Sequence, residues 1–363
     1  MMVTYRRYLT GKQANWSRRL RAALMALVAV ALTLGGCQPE AAAPPQQNLP
    51  PRPNGTIPGA ESWPRSFPNA HGPDVQLSEP AMRIVALQPN IAEMLCEIGG
   101  LSHIAAVDKY TDYPPEMARI PKVGDILTPD YERIVSLRPE LVITSRGTPA
   151  DVLQKLRDLG LQVLGVDPQG LDDVFSCMKM FGRIIGNEQV AADITAQLQR
   201  RRIAIAERAR AAAGVHGRPK TVFVLSLDPI FVAGKSSFIA DLIEEAGGEP
   251  AISVRAAAGE QPWPQISRET LLSAAPEVLI FPSGHGHETG APNGEKLPTQ
   301  LRKDAAWAQV PAVKQGRVYV VDDDLITIPG PRLVQALEQV AELLHPTAAT
   351  QATPRQETKP DER

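Results

Sequence analysis

Between residues 78 and 345, short continuous apolar runs alternate with longer stretches in which apolar residues return every three or four positions. The runs 83–87 (RIVAL), 103–107 (HIAAV), 141–144 (LVIT) and 162–166 (QVLGV) lack the polar alternation of a half-solvated strand. They predict strands covered on both faces, as in a parallel sheet. Between them, 91–98, 131–137 and 149–159 have the spacing of amphipathic helices, the last stopped by Gly160. The second half repeats the plan, with strands predicted at 221–227, 278–281 and 317–321 and helices at 237–246, 268–274 and 331–344. Strands alternating with helices make an α/β protein of two similar lobes, 78–170 and 215–345.

The connection at 171–214 contains no strand-like run. After a helix ending near Gly186-Asn187, Val190, Ile194, Leu198 and Ile205 mark one stripe on a helix of about six turns. This is either a rigid link between lobes or an ordinary long surface helix.

The ends of the chain have a different composition. Arg6, Arg7, Lys12, Arg18, Arg19 and Arg21, with no acidic residue among them, precede an apolar run at 22–34 that ends in Leu34-Gly35-Gly36-Cys37. This predicts a lipoprotein signal peptide, 1–36, with Cys37 acylated after cleavage and the protein held extracytoplasmically at a membrane. An uncleaved anchor is the alternative, but the apolar run is short for a span. Losing 1–36 moves the net charge from −2 to −8, which argues against nucleic acid as a partner. Residues 37–77, rich in Pro, Ala, Gln and Asn, predict an extended tether, and 346–363 a disordered polar tail. Besides Cys37 only Cys96 and Cys177 remain, enough for one bridge but not for a disulfide framework.

The segment 261–281 (QPWPQISRETLLSAAPEVLIF) joins two chemistries. Trp263, between prolines, offers a flat face to a ligand, and Glu269 sits in the first turn of a capped helix, where a carboxylate is favoured and points outward. Together with RIVALQPNIAEMLCEIG, TDYPPEMARIPKVG, YERIVSLRPELVI and FVAGKSSFIADLIEEAGG, it resembles the helical-backbone class of ABC-transporter substrate-binding proteins. These are the iron-chelate and vitamin B12 binders, and the likeness is greatest to the cobalamin-binding members. The resemblance covers nearly the whole folded part. It implies two Rossmann-like lobes with parallel central sheets, joined by a single long backbone helix, with the ligand cleft between them. It also implies a monomer that delivers its ligand to a permease and ATPase complex, with no cofactor beyond the transported chelate. Family members dock through one glutamate per lobe, each pairing with permease arginines, and the matching positions are Glu93 and Glu269.

Loops after the carboxyl ends of strands should line the cleft. The resemblance assigns Asn90, Tyr110, Phe231, Trp263 and Asp324 to the ligand, although Tyr110 and Phe231 are also read as core aromatics and Asp324 as a solvated member of the 322–324 acidic run. Arg146 is a candidate for a carboxylate or phosphate, or a surface residue. The chain departs from the cobalamin binders at Ile126, Ser145 and Ile328, so its pocket is expected to be less aromatic and less basic.

The loop 282–290 (PSGHGHETG) is outside the resemblance. His285 and His287 are candidate ligands for the metal of a corrinoid or haem or for a bare transition metal, without the four converging ligands of a closed zinc site. The other reading is a plain exposed loop. Catalysis is not expected. GKSS at 234–237 has Pro229 where a phosphate loop needs its first glycine, and no nucleophile triad is legible. The resemblance implies an importer's receptor for cobalamin or a related corrinoid. Its rivals are a ferric siderophore or haem binder of the same family, and a lipid-anchored metal-binding or scaffold lipoprotein using the HGHE loop.

Overall fold

The computed structural model describes residues 62–252, 262–284 and 297–346. The predicted signal peptide, Cys37, most of the tether, His285, His287 and the tail beyond 346 lie outside the described residues.

The tether boundary is corrected by the structure. β1 (Arg65–Phe67) and β2 (Val75–Leu77) pair antiparallel, and Phe67, Val75 and Leu77 are buried in the N-terminal core. Only Trp63, Phe67, Val75 and Leu77 among the described strongly apolar residues make this contact within a proline-rich, polar stretch, too sparse a pattern for composition to reveal. The connecting loop covers the edge of the neighbouring sheet. Asn69 donates to the Val163 carbonyl at 2.9 Å and accepts from the Gly165 amide at 2.8 Å, which blunts an otherwise open strand edge.

The N-terminal sheet contains β3 (Ile84–Ala86), β4 (Ile104–Val107), β5 (Leu141–Thr144) and β6 (Val163–Gly165), all parallel, in the order β4-β3-β5-β6. Every residue of these strands is buried, which is why the runs read as continuous apolar segments. In the C-terminal lobe, β7 (Lys220–Leu227), β9 (Glu249–Pro250), β10 (Val278–Pro282) and β11 (Val318–Val321) are parallel, and β8 (Ile230–Val232) returns antiparallel beside β7. In both lobes the second parallel strand lies on one side of the first and the third on the other, so each sheet has a switch point beside its first strand. Strands β8 and β9 and the helices Leu297–Lys303, Pro311–Lys314 and Asp323–Thr327, two to seven residues long, lie outside the predicted elements.

Between the lobes run the helices Leu171–Ile185 and Glu188–His216. The second has 29 residues, longer than predicted and about 43 Å from end to end. Of the predicted stripe, Ile205 is buried and Ile194 and Leu198 pack against the core, so only Val190 departs from it. Ala191, Thr195, Ile205 and Ala209 are buried, whereas Val190 is exposed. Small residues let the neighbouring helix approach closely. A Cβ on Gly182 would stand 2.4 Å from that of Ala191. On the other side Arg202 holds Glu245 at 2.8 Å and Asp172 at 2.7 Å, while Arg201 and Arg208 share Glu338. Arg65, from β1, pairs with Glu188 in its first turn, so the long helix is fastened to both lobes. Cys96 and Cys177 are free thiols, and burial pushes both up to about 12.

Candidate ligand-binding cleft

The N-terminal switch point lies between β3 and β5, and the chain segments leaving their carboxyl ends line a cavity of about 330 Å³ between the lobes. Gln88 fixes this wall. Its carbonyl oxygen accepts from the Ser145 amide, and its Nε2 donates to the Arg146 carbonyl at 2.9 Å. Asn90 follows at the start of the helix Pro89–Glu97, with Nδ2 3.4 Å from the Ser145 hydroxyl. Amides and hydroxyls therefore dominate this face.

The opposite face carries the aromatic and apolar contacts, beside Ser236, Ser237 and Thr327. Trp263 is half-buried, its ring 6.2 Å from those of Phe223 and Phe238, edge-on to the latter. Phe238 begins the helix Phe238–Glu245, whose cap is the Ser237 hydroxyl, 3.2 Å from the Ala240 amide. Phe238, Ile328 and Pro329 line the cavity with Trp263. Phe238 was not among the sequence candidates, although its place just after a cap at a predicted helix start was visible.

Of the six predicted ligand residues, the cavity brings together Asn90, Arg146 and Trp263. Arg146 is already engaged. Its guanidinium meets the Asp167 carboxylate through two hydrogen bonds of 2.7 and 3.1 Å, which raise its pKa. Tyr110, Phe231 and Asp324 are outside the cavity lining. Tyr110 is exposed beside Lys109. Phe231 is half-buried within β8 and bridged to Gln265. Asp324 lies in the short helix Asp323–Thr327, near Arg332, where burial and then the charge of Asp112 raise its pKa. Of the three departures, Ser145 and Ile328 line the cavity, whereas Ile126 packs beneath the N-terminal sheet.

The turn beside Tyr110 carries a titration of its own. Asp125 pairs with Lys109 at 2.7 Å and accepts from the Leu127 and Thr128 amides at 2.9 and 2.6 Å. Lys109 first, then these amides, hold its carboxyl down to about 2 against an ordinary 3.8. A depressed folded-state pKa stabilises the fold above the ordinary value, and that stabilisation is lost as pH falls from 3.8 towards 2. Asp125→Asn is expected to flatten the pH dependence of urea unfolding in that window and leave it unchanged near neutrality.

The two predicted docking glutamates have different settings. Glu269 is exposed in the first turn of Arg268–Ser273, and its own backbone amide and the Ser267 hydroxyl lower its pKa. Glu93, expected at the surface, is buried at 3% exposure. Arg332 of the C-terminal lobe grips it through Nε at 3.0 Å and Nη2 at 2.6 Å. The cause is the approach of the segment before the last helix, where the site of a Gly330 Cβ is 3.1 Å from the Glu93 carboxylate. Burial raises the pKa of Glu93, opposed by Arg332. No single-sequence signal pairs two residues 239 positions apart.

A family model described as periplasmic binding protein matches residues 84–325. An uncharacterized ABC transporter substrate-binding lipoprotein of Bacillus subtilis is 29% identical over 292 residues, 79% of this chain and 87% of that protein. A vitamin B12-binding protein of Vibrio cholerae is 29% identical over 272 residues, 73% of this chain and 90% of its own length. Among solved structures, the periplasmic heme-binding protein RhuT of Roseiflexus superposes with a TM-score of 0.62 at 27% identity, covering 73% of this chain and 98% of the other.

Proposed function

The chain belongs to the periplasmic binding protein family, and on that basis we propose that it captures cobalamin or a related corrinoid between its lobes and presents it to an ABC importer. The observation that carries the ligand is the two-sided chemistry of the cleft. A corrin is a large, partly apolar ring fringed by amides. Asn90, Ser145 and the side-chain oxygen of Gln169 offer hydrogen bonds to such a fringe, and Trp263 and Phe238 offer flat apolar contact. Haem and most ferric siderophores bring carboxylates or net negative charge. Among the described residues lining the cavity the one cation is Arg146, and Asp167 already neutralises it.

A corrinoid is larger than the present cavity, so uptake requires the lobes to part. The test is titration of the purified protein with cyanocobalamin, haemin, a ferric siderophore and divalent metal salts, followed by calorimetry. Micromolar or tighter binding of cyanocobalamin is expected, and its absence overturns the corrinoid assignment. Haem is the second ligand, supported by the 27% identity to the heme-binding protein of Roseiflexus.

The remaining steps are binding and delivery, with ATP hydrolysed by the partner. The exposed carboxylate of Glu269 supports docking through the C-terminal lobe. The lipoprotein name of the Bacillus relative supports acylation of Cys37. Cys37→Ser is expected to move the protein from the membrane pellet to the soluble extracytoplasmic fraction, read by fractionation and blotting.

A further inference from the structure

Arg332 leaves the C-terminal lobe and is held by the N-terminal lobe on two sides. Glu93 takes its guanidinium in a two-point ion pair, and the ring of Tyr113 lies 4.1 Å from its Cζ. The side chains of Arg332 and Glu93 are 14% and 2% exposed, so water competes little for either charge. The contact adjoins the cleft. Glu93 is three residues beyond Asn90 on the same helical face, and Arg332 is three residues beyond Pro329. Asn90 and Pro329 line opposite walls of the cavity. The wider surroundings are acidic. Asp112 of the N-terminal lobe and Asp324 of the C-terminal lobe lie close enough to act on Glu93, and Arg332 is the cation among them.

Burying an ion pair adds little stability over an apolar contact of the same shape, but it fixes geometry, because either partner alone is strongly disfavoured. We propose that Arg332 is a positioning residue for ligand binding, an interlobe pin clamped by Glu93 and Tyr113 that sets the spacing of the cleft walls and slows ligand escape. The pin is a balance of charge. With Arg332 present, the lobes attract across this contact. Without it, Glu93 and Asp112 face Asp324 and the lobes repel. The proposal uses the ligand assignment only to place the ligand in the cavity.

The test uses the full chain, with cyanocobalamin as the probe. Arg332→Met is expected to raise the dissociation rate about tenfold with little change in association. Glu93→Gln, which keeps a hydrogen-bonding amide, should have a smaller effect. Adding Asp324→Asn to Arg332→Met should recover part of the lost residence time by removing the repulsion, a rescue that a purely local packing defect would not show. Unchanged dissociation in a folded Arg332→Met protein, or no recovery in the double variant, overturns the proposal. If the unmodified protein does not bind cyanocobalamin, the corrinoid assignment fails and amide hydrogen exchange of the unliganded protein decides the pin. Faster exchange in 90–95 and 326–334 of Arg332→Met, with 171–216 unchanged, supports it, and identical exchange refutes it.

Discussion

Trp263→Ala is expected to weaken cyanocobalamin binding by about 30-fold or more, the loss that follows when a central aromatic anchor is truncated. The indole contributes one broad face of the cleft, and its orientation is fixed by Phe223 and Phe238, each 6.2 Å away. Ordering a ring that is already ordered costs little entropy on binding, so most of its contact energy reaches the affinity. Trp263→Phe should recover part of the loss because a smaller ring retains the stacking surface. Tyr110→Ala is the matched control. It removes an exposed aromatic outside the cavity and should leave affinity within about twofold, near the ±0.5 kcal/mol typical of surface changes. Equal affinities for Trp263→Ala and the unmodified protein would show that the ligand binds elsewhere.

Gly182→Ala is expected to lower the melting temperature by about 3–10 °C, from about 1–3 kcal/mol of overpacking. The new methyl would lie 2.4 Å from the Cβ of Ala191 and 3.3 Å from the Asn187 carbonyl oxygen, so the two interlobe helices would have to separate. Because that crossing joins the N-terminal lobe to the long helix, the shift should also alter ligand dissociation. Gly214→Ala, near the end of the long helix, meets nothing within 4 Å and should be neutral or stabilise by up to about 1 kcal/mol through helix propensity. Scanning calorimetry of the pair separates close approach from a general intolerance of alanine.

What was legible in the sequence followed local periodicity. The seven predicted strands all exist, because each is a short apolar run whose pattern is complete within itself, as at Leu141–Thr144. The β1 and β2 hairpin was hidden because its burial depends on the distant β6 edge rather than on its own composition. At the cleft, Asn90 and Trp263, which the resemblance assigns to the ligand, line the cavity, one beside a strand end and the other between prolines. Phe231 lies on the strand of a hairpin, outside the cavity lining, and Arg146 is paired with Asp167, 21 residues away, which no short sequence window joins to it. The burial of Glu93 is a consequence of lobe approach, a property of the assembled fold that no local window contains.

The single crossing between the lobes has a consequence for biogenesis. All strands of the N-terminal sheet lie before residue 166, and those of the C-terminal sheet begin at Lys220, so neither sheet borrows a strand from the other. A chain synthesised amino-end first therefore completes one sheet before the next begins to emerge, and the pairing of Glu93 with Arg332, 239 residues apart, becomes possible only after both lobes are made.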